Sequence, residues 1–152
     1  MKILLAYDGF EHSEPALEET VKLAQDGDAE IVSLSVVPPD ARGSKAGGHV
    51  GMAPHAHEHV ALARAYLRAR GIASEMRIEH GDPAEEILKE ARRGRYDLVV
   101  MGTRGRGPVV RVPLGSVSNR VAANARCTVL IAGEDVVTRV EPRVVVEPRV
   151  PA

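Results

Sequence analysis

One stretch of this 152-residue chain is rich in residue types that bind phosphate. Glycines stand at Gly102, Gly105 and Gly115, arginines lie between them, and Ser116 and Ser118 follow. Glycine lets the backbone turn its N–H groups into one concavity, and the first N–H groups of a helix attract an anion. Arginine matches the geometry of phosphate. The stretch therefore predicts a phosphate-binding site, although a tight turn followed by an ordinary helix cap would use similar residues.

Two familiar phosphate motifs do not account for this stretch. No lysine precedes Ser116 in the way that the Walker pattern requires. Residues 102–107 read GTRGRG, with glycine at the first, fourth and sixth positions. The dinucleotide fingerprint needs glycine at the first, third and sixth positions. Neither a P-loop nor an NAD site of the usual kind is therefore predicted.

Three smaller candidates compete with ordinary structural roles. Asp8 follows the first apolar run and could accept a hydrogen bond from a ligand or organise a metal, but Asp-Gly is also a common turn pair. His55 and His59 would share a helix face, with His57 between them, and a third ligand would be needed to hold a metal. Solvated histidines fit the same pattern. Cys127 opens an apolar run, which favours an inert core thiol over a nucleophile.

The elements that must position these residues alternate between strand and helix patterns. Apolar, strand-like runs are predicted at residues 2–7, 29–37, 72–79, 97–101 and 127–132. Helices are predicted near residues 14–25, 56–70, 83–93 and 116–125, and residues 40–54 are predicted to form a loop. Such alternation predicts an α/β fold with a five-stranded parallel sheet covered by helices on both faces. With strand order 3-2-1-4-5, a crevice opens at the carboxyl ends of strands one and four.

Composition excludes several classes of protein. The chain has 20 basic and 21 acidic residues and four aromatic side chains, so a nucleic-acid partner is not expected. No apolar run reaches 18 residues, and no membrane association is predicted. A single cysteine fits a reducing compartment, so we expect a cytoplasmic protein. Residues 134–152 contain two Val-Glu-Pro-Arg-Val copies, which predict an extended arm that is disordered or lies along a sheet edge or a partner subunit.

The glycine spacing resembles the nucleotide-binding motif of the universal stress protein family. The matching pattern is Gly102, two residues, Gly105, nine residues, then Gly115-Ser116, and Asp8 after the first strand matches as well. The segment from His80 to Ile87 also resembles that family, and the likeness covers about residues 2–132. It implies a Rossmann-like domain over residues 1–133, followed by the arm of residues 134–152.

The resemblance also implies a ligand, a site and an assembly. The ligand would be ATP or a related adenine nucleotide, with Mg²⁺ bridging phosphate oxygens. Adenosine would be bordered by Ala6, Asp8 and Val36. The ribose and phosphates would lie by Met101 and Gly102, and the phosphate chain would be held by Gly105, Gly115, Ser116, Val117 and Ser118. A homodimer would form through the fifth strand, which begins at Cys127 and ends at Ala132, with a possible contribution from the arm.

Three functions remain compatible with the sequence. The first is a nucleotide-binding, dimeric regulatory or stress-response protein. The second is a slow ATPase or phosphoryl transferase, for which Asp8 and His12 are the only evident candidate bases, and neither belongs to a clear catalytic motif. The third is a nucleotide-free dimeric module that interacts through its arm. No catalytic residue is assigned.

Overall fold

The computed structural model describes residues 1–7, 14–39, 52–103 and 115–142, with the side chains of 52–56 left aside. These residues contain six strands and four helices. In chain order they are β1 (Lys2–Ala6), α1 (Glu14–Gln25), β2 (Glu30–Val37), α2 (Met52–Arg68), β3 (Ser74–His80), α3 (Pro83–Arg93), β4 (Leu98–Gly102), α4 (Ser116–Asn124), β5 (Thr128–Ala132) and β6 (Val137–Val140).

Local signals in the sequence explain where α3 begins, and they are compatible with a start of α2 that is earlier than predicted. Asp82 accepts a hydrogen bond from the backbone N–H of Glu85 at 3.0 Å, and Pro83 occupies the first helical position. Helix α2 begins at Met52 rather than near residue 56. Pro54 is compatible with this start because the first turn of a helix needs no N–H donor.

The sheet has strand order β3-β2-β1-β4-β5-β6. The first five strands are parallel, which confirms the predicted Rossmann-like α/β fold and its 3-2-1-4-5 order. Strand β6 adds a sixth, antiparallel member against β5. It was predicted only as part of an extended arm, and of the alternatives for that arm the sheet edge is the one observed for Val137–Val140. Residues 143–152 lie outside the described part of the chain.

Strand β6 can pair because a short turn brings it back along an open edge. The N–H of Gly133 donates to the carbonyl of Val136 at 2.8 Å and closes the hairpin. Val140 packs against the core, and the Thr128 hydroxyl donates to the Glu141 carboxylate at 2.9 Å. Pro142 follows at once and lacks the N–H that further pairing would need. The strand is therefore short and confined to the edge of the sheet.

Two apolar layers cover the sheet, one on each face. Helices α1 and α2 pack against alternate residues of the central strands, including Ile3, Leu5 and Val100. Helices α3 and α4 pack against the intervening residues, such as Leu4 and Val99. Because β1 leads into a helix on one face and β4 leads into a helix on the other, their connections diverge. A crevice is expected where the carboxyl ends of these two strands meet.

Candidate functional site

The carboxyl ends of neighbouring strands bring several predicted site residues together. Ala6 ends β1 and pairs with Met101 of β4 on one side and with Leu34 of β2 on the other. Gly102 ends β4 and pairs with Ala132 of β5. These residues therefore lie at one edge of the sheet, on both sides of the point where the connections diverge.

Four of the predicted positions also share one face of the sheet. Met101 is buried in the apolar layer under α3 and α4, and Ala6, Val36 and Val117 are partly buried against the same layer. They come from three strands and from the first turn of α4. The structure thus provides an apolar surface beside the crevice, of a kind that suits a flat, apolar ring.

The N-terminus of α4 is capped by a residue that has no side chain. Gly115 stands at the cap with φ −58° and ψ 163°, and within the described residues the helix start has no side-chain cap hydrogen bond. Its carbonyl accepts the first helical bond, from Asn119 N–H at 2.9 Å. The N–H groups of Ser116, Val117 and Ser118 have no carbonyl partner one turn earlier in the helix. Together with the helix dipole, they favour an anion at this end.

Helix α3, unlike α4, begins at a cap residue whose side chain accepts a hydrogen bond from the first turn. Its cap residue, Asp82, accepts from the N–H of Glu85 and from the Arg120 guanidinium, each at 3.0 Å. The N-terminus of α3 therefore already has a carboxylate of this chain bound to it. The two helix starts differ because one cap residue is aspartate and the other is glycine.

The two serines of the predicted phosphate site have different surroundings. Ser118 is 2% exposed, and its hydroxyl donates to the carbonyl of Gly115 at 3.0 Å. Its single hydroxyl proton is thus already used, so a ligand at this helix end would meet its backbone N–H instead. Ser116 is exposed and its hydroxyl faces no such restriction. The sequence could not distinguish these two roles.

One contact at this edge was not anticipated from the sequence. The Tyr7 hydroxyl donates to the Glu14 carboxylate at 2.7 Å, which joins the end of β1 to the first turn of α1. An acidic residue at a helix start was a visible signal, but its tyrosine partner depends on the fold. Asp8 lies between them in the chain, and it is outside the described residues. So are Gly105, His12 and the arginines between Gly105 and Gly115.

The structure describes the alternative candidates only in part, since the side chain of His55 lies outside the described part of the chain. Helix α2 includes His55, His57 and His59, and His57 is exposed. No group of three or more His, Cys, Asp or Glu side chains that could hold a metal occurs in the described part of the chain. Cys127 is partly buried at the start of β5, and burial raises the pKa of its thiol. A raised pKa keeps the thiol protonated and is unfavourable for a nucleophile. None of the helices described here has the length and apolar character needed to cross a membrane.

Comparison with known proteins identifies the family. The sequence profile of the universal stress protein family matches residues 1–133. A universal stress protein of Thermus aquaticus is 35% identical over 142 residues, covering 85% of this chain and 96% of the relative. The structure of the universal stress protein UspA from Lactobacillus plantarum superimposes with a TM-score of 0.73 at 26% identity, covering 87% and 97% of the two chains. An Arabidopsis thaliana family member solved with AMP bound has a TM-score of 0.64 at 24% identity, covering 87% and 90%. The chain belongs to the universal stress protein family.

Proposed function

We propose that this chain binds an adenine nucleotide, ATP with Mg²⁺ or a related form, in the crevice at the carboxyl edge of its sheet. The observation that carries the proposal is the start of α4, where the amides of Ser116–Ser118 follow a glycine cap. The AMP found in the Arabidopsis structure supports the choice of ligand. In this chain, the adenosine part of the nucleotide would lie by Ala6, Asp8 and Val36.

The phosphates would lie between the end of β4 and the start of α4. Met101 and Gly102 would border the ribose and the first phosphate, and Gly105 and Gly115 would let the backbone approach the chain of phosphates. Mg²⁺ prefers phosphate and carboxylate oxygens. With no metal-binding cluster among the described residues, the ion would be held chiefly through the nucleotide.

The role we propose is regulatory. The nucleotide would favour one arrangement of the connection between β4 and α4. Other molecules would then bind the chain more or less tightly according to that arrangement. Such a switch requires a difference in nucleotide affinity between the two arrangements. No residue is assigned a catalytic role, and the cytoplasmic location remains a prediction.

We further propose a homodimer formed at the β5 end of the sheet with the arm as part of the interface. Strand β5 pairs with β6 of the same chain along its outer edge. A second copy would therefore meet β6 first, or would replace it. The unpaired edge of β6 is a suitable surface, because edge strands readily pair with another chain.

Calorimetry with AMP, ATP and adenosine tests the nucleotide proposal. AMP should bind at least about tenfold more tightly than adenosine, because its phosphate gains charge-assisted hydrogen bonds at the start of α4. GMP serves as the comparison that isolates the adenine ring. Equal affinity for AMP and adenosine would contradict the assignment of the phosphate site.

Two serine variants make a matched pair for the same assay. Ser118→Ala removes a hydroxyl that donates to Gly115, but it keeps the backbone N–H, so AMP affinity should fall less than about threefold. Ser116→Ala removes the exposed hydroxyl and should have the larger effect. The reverse order would mean that the buried hydroxyl, and not the amide, serves the ligand.

A further inference from the structure

A second concave site lies at the opposite edge of the sheet, where α3 and α4 end. It is a pocket of about 250 Å³ between the two helix ends and the start of β5. Leu88, Ala91, Tyr96 and Ala125 supply apolar surface to it. This volume lies just below the usual range for drug-sized ligands, so it suits a compact body of one or two fused rings.

Three arginines line the same pocket. They are Arg92 in the last turn of α3, Arg95 just beyond the end of α3, and Arg126 just beyond the end of α4. No aspartate or glutamate is among the described lining residues. In the described ranges none of these arginines forms an ion pair, whereas Arg93 and Arg120 both pair with carboxylates. The two helix C-termini together carry about −1 of dipole charge, which is less than the charge of three guanidinium groups. Asp97, which lies close enough to help raise the pKa of the Cys127 thiol, adds one further negative charge. The three arginines are exposed, and together they leave the pocket with a net positive charge.

The backbone at Arg95 is arranged in a way that glycine would favour. Helix α3 ends with Arg95 N–H bonded to Arg92 O at 3.4 Å and Tyr96 N–H bonded to Ala91 O at 3.3 Å. This is the Schellman pattern, in which the residue after the cap takes the left-handed conformation and is usually glycine. Arg95 takes it with φ 51°. The chain thus carries an arginine on the pocket at a position where glycine would be more stable.

We propose that this arginine pocket, formed by Arg92, Arg95 and Arg126 around Leu88 and Tyr96, binds a small organic phosphate. The apolar part of the pocket would contact a flat body of one or two fused rings. The guanidinium groups would bind the phosphate oxygens, since arginine is suited to planar, paired recognition of phosphate. The site is separate from the proposed nucleotide crevice, because α3 and α4 end at the amino ends of the strands.

Naphthyl phosphate is the probe for this pocket, with naphthol and inorganic phosphate as comparisons. Cys127 lines the pocket and is the single cysteine of the chain, so its reaction with dithiodipyridine reports occupancy. Naphthyl phosphate should slow that reaction with a Kd below about 1 mM, and naphthol should slow it much less. The same protection should persist in Gly115→Asp, which alters the other edge of the sheet.

Arginine variants test whether the guanidinium charges contribute to the binding of naphthyl phosphate. Arg95→Gly and Arg126→Ala should each raise the Kd of naphthyl phosphate about tenfold, as expected for the loss of a charged hydrogen bond. Arg64→Ala, which removes an exposed arginine on α2, should leave it unchanged. Arg95→Gly should not lower Tm, so weaker binding in that variant cannot reflect unfolding.

Three results would overturn the proposal. The first is that naphthyl phosphate does not protect Cys127 at concentrations up to about 10 mM, which would put the Kd well above the expected value. Another is equal protection by naphthol, which would make the pocket an apolar cavity only. The third is an unchanged Kd in both Arg95→Gly and Arg126→Ala.

Discussion

Gly115→Asp should raise the stability of the fold and remove nucleotide binding at the same time. The φ of Gly115 is −58°, so an aspartate fits the backbone without entering the left-handed region. Its carboxylate would accept from the first-turn N–H groups of α4, as Asp82 does at α3. The same carboxylate would then occupy the place of the phosphate and repel it.

The two magnitudes follow from general hydrogen-bond and capping energies. Losing two charge-assisted bonds at about 1.5 kcal/mol each lowers AMP affinity by about a hundredfold or more. An aspartate cap gains a few tenths of a kcal/mol over glycine, and the helix dipole adds about 0.3 to 1 kcal/mol. For a chain of this length, a gain of about 1 kcal/mol raises Tm by about 3 °C.

The assay pairs calorimetry for AMP with urea unfolding for stability. Gly115→Ala separates the two effects of the aspartate, because it adds a Cβ at the phosphate site without an acceptor for the first-turn N–H groups. It should lower AMP affinity less than Gly115→Asp does, and it should not raise stability. Asp82→Gly is the reverse change at α3 and should cost about 1 kcal/mol or less of stability with AMP binding retained. If Gly115→Asp binds AMP within about threefold of the parent chain, the helix N-terminus is not the phosphate site.

Three further predictions concern the crevice wall, the core and the sheet edge. Ala6→Val fills space at the end of β1 and should weaken the binding of AMP and of adenosine about equally, by about tenfold. If calorimetry shows weaker binding of AMP alone, the placement of adenosine beside Ala6 is wrong. Burial, and then its hydrogen bond to Glu90, raise the pKa of Tyr96, so the folded state holds the phenol proton longer than the unfolded state. Stability in urea should therefore fall as pH rises above about 10, and Tyr96→Phe should remove that part of the slope and cost about 1 kcal/mol at neutral pH. Ending the chain after Gly133 removes β6 and the rest of the arm, which form part of the proposed interface, so sedimentation should show less dimer than with the full chain. An undiminished dimer after truncation would show that the interface does not require β6 or the arm.

Elements with local signals were predictable from the sequence. Helix α3 carries its start in Asp82 and Pro83, and both signals act within one turn. The start of α2 was missed by about four residues because Pro54 reads as a loop residue, although the first turn of a helix accepts it. Strand β6 was predicted only as part of an arm, because the prolines of the tail argue against an interior strand. The four residues between it and β5 form a turn that lets it pair along the open edge of β5.

In the candidate site, too, some features could be predicted from the sequence and others could not. The strand-end positions of Ala6, Met101 and Gly102 follow from the alternating pattern and the strand order, so the sequence could bring them together. The hydrogen bond from Ser118 to Gly115 could not be foreseen, because either serine hydroxyl was free to turn toward a ligand. Burial of one serine and exposure of the other separate them only in the folded chain.

The contribution of the α4 amides can be measured directly by ¹H–¹⁵N NMR during titration with AMP and, separately, with adenosine. The amide protons of Ser116, Val117 and Ser118 should move downfield with AMP and much less with adenosine, since only AMP brings a phosphate to that helix end. Resonances of Ala6 and Val36 should respond to both ligands. If AMP binds while the resonances of the three α4 amides do not shift, the phosphate lies elsewhere and the start of α4 is not the phosphate site.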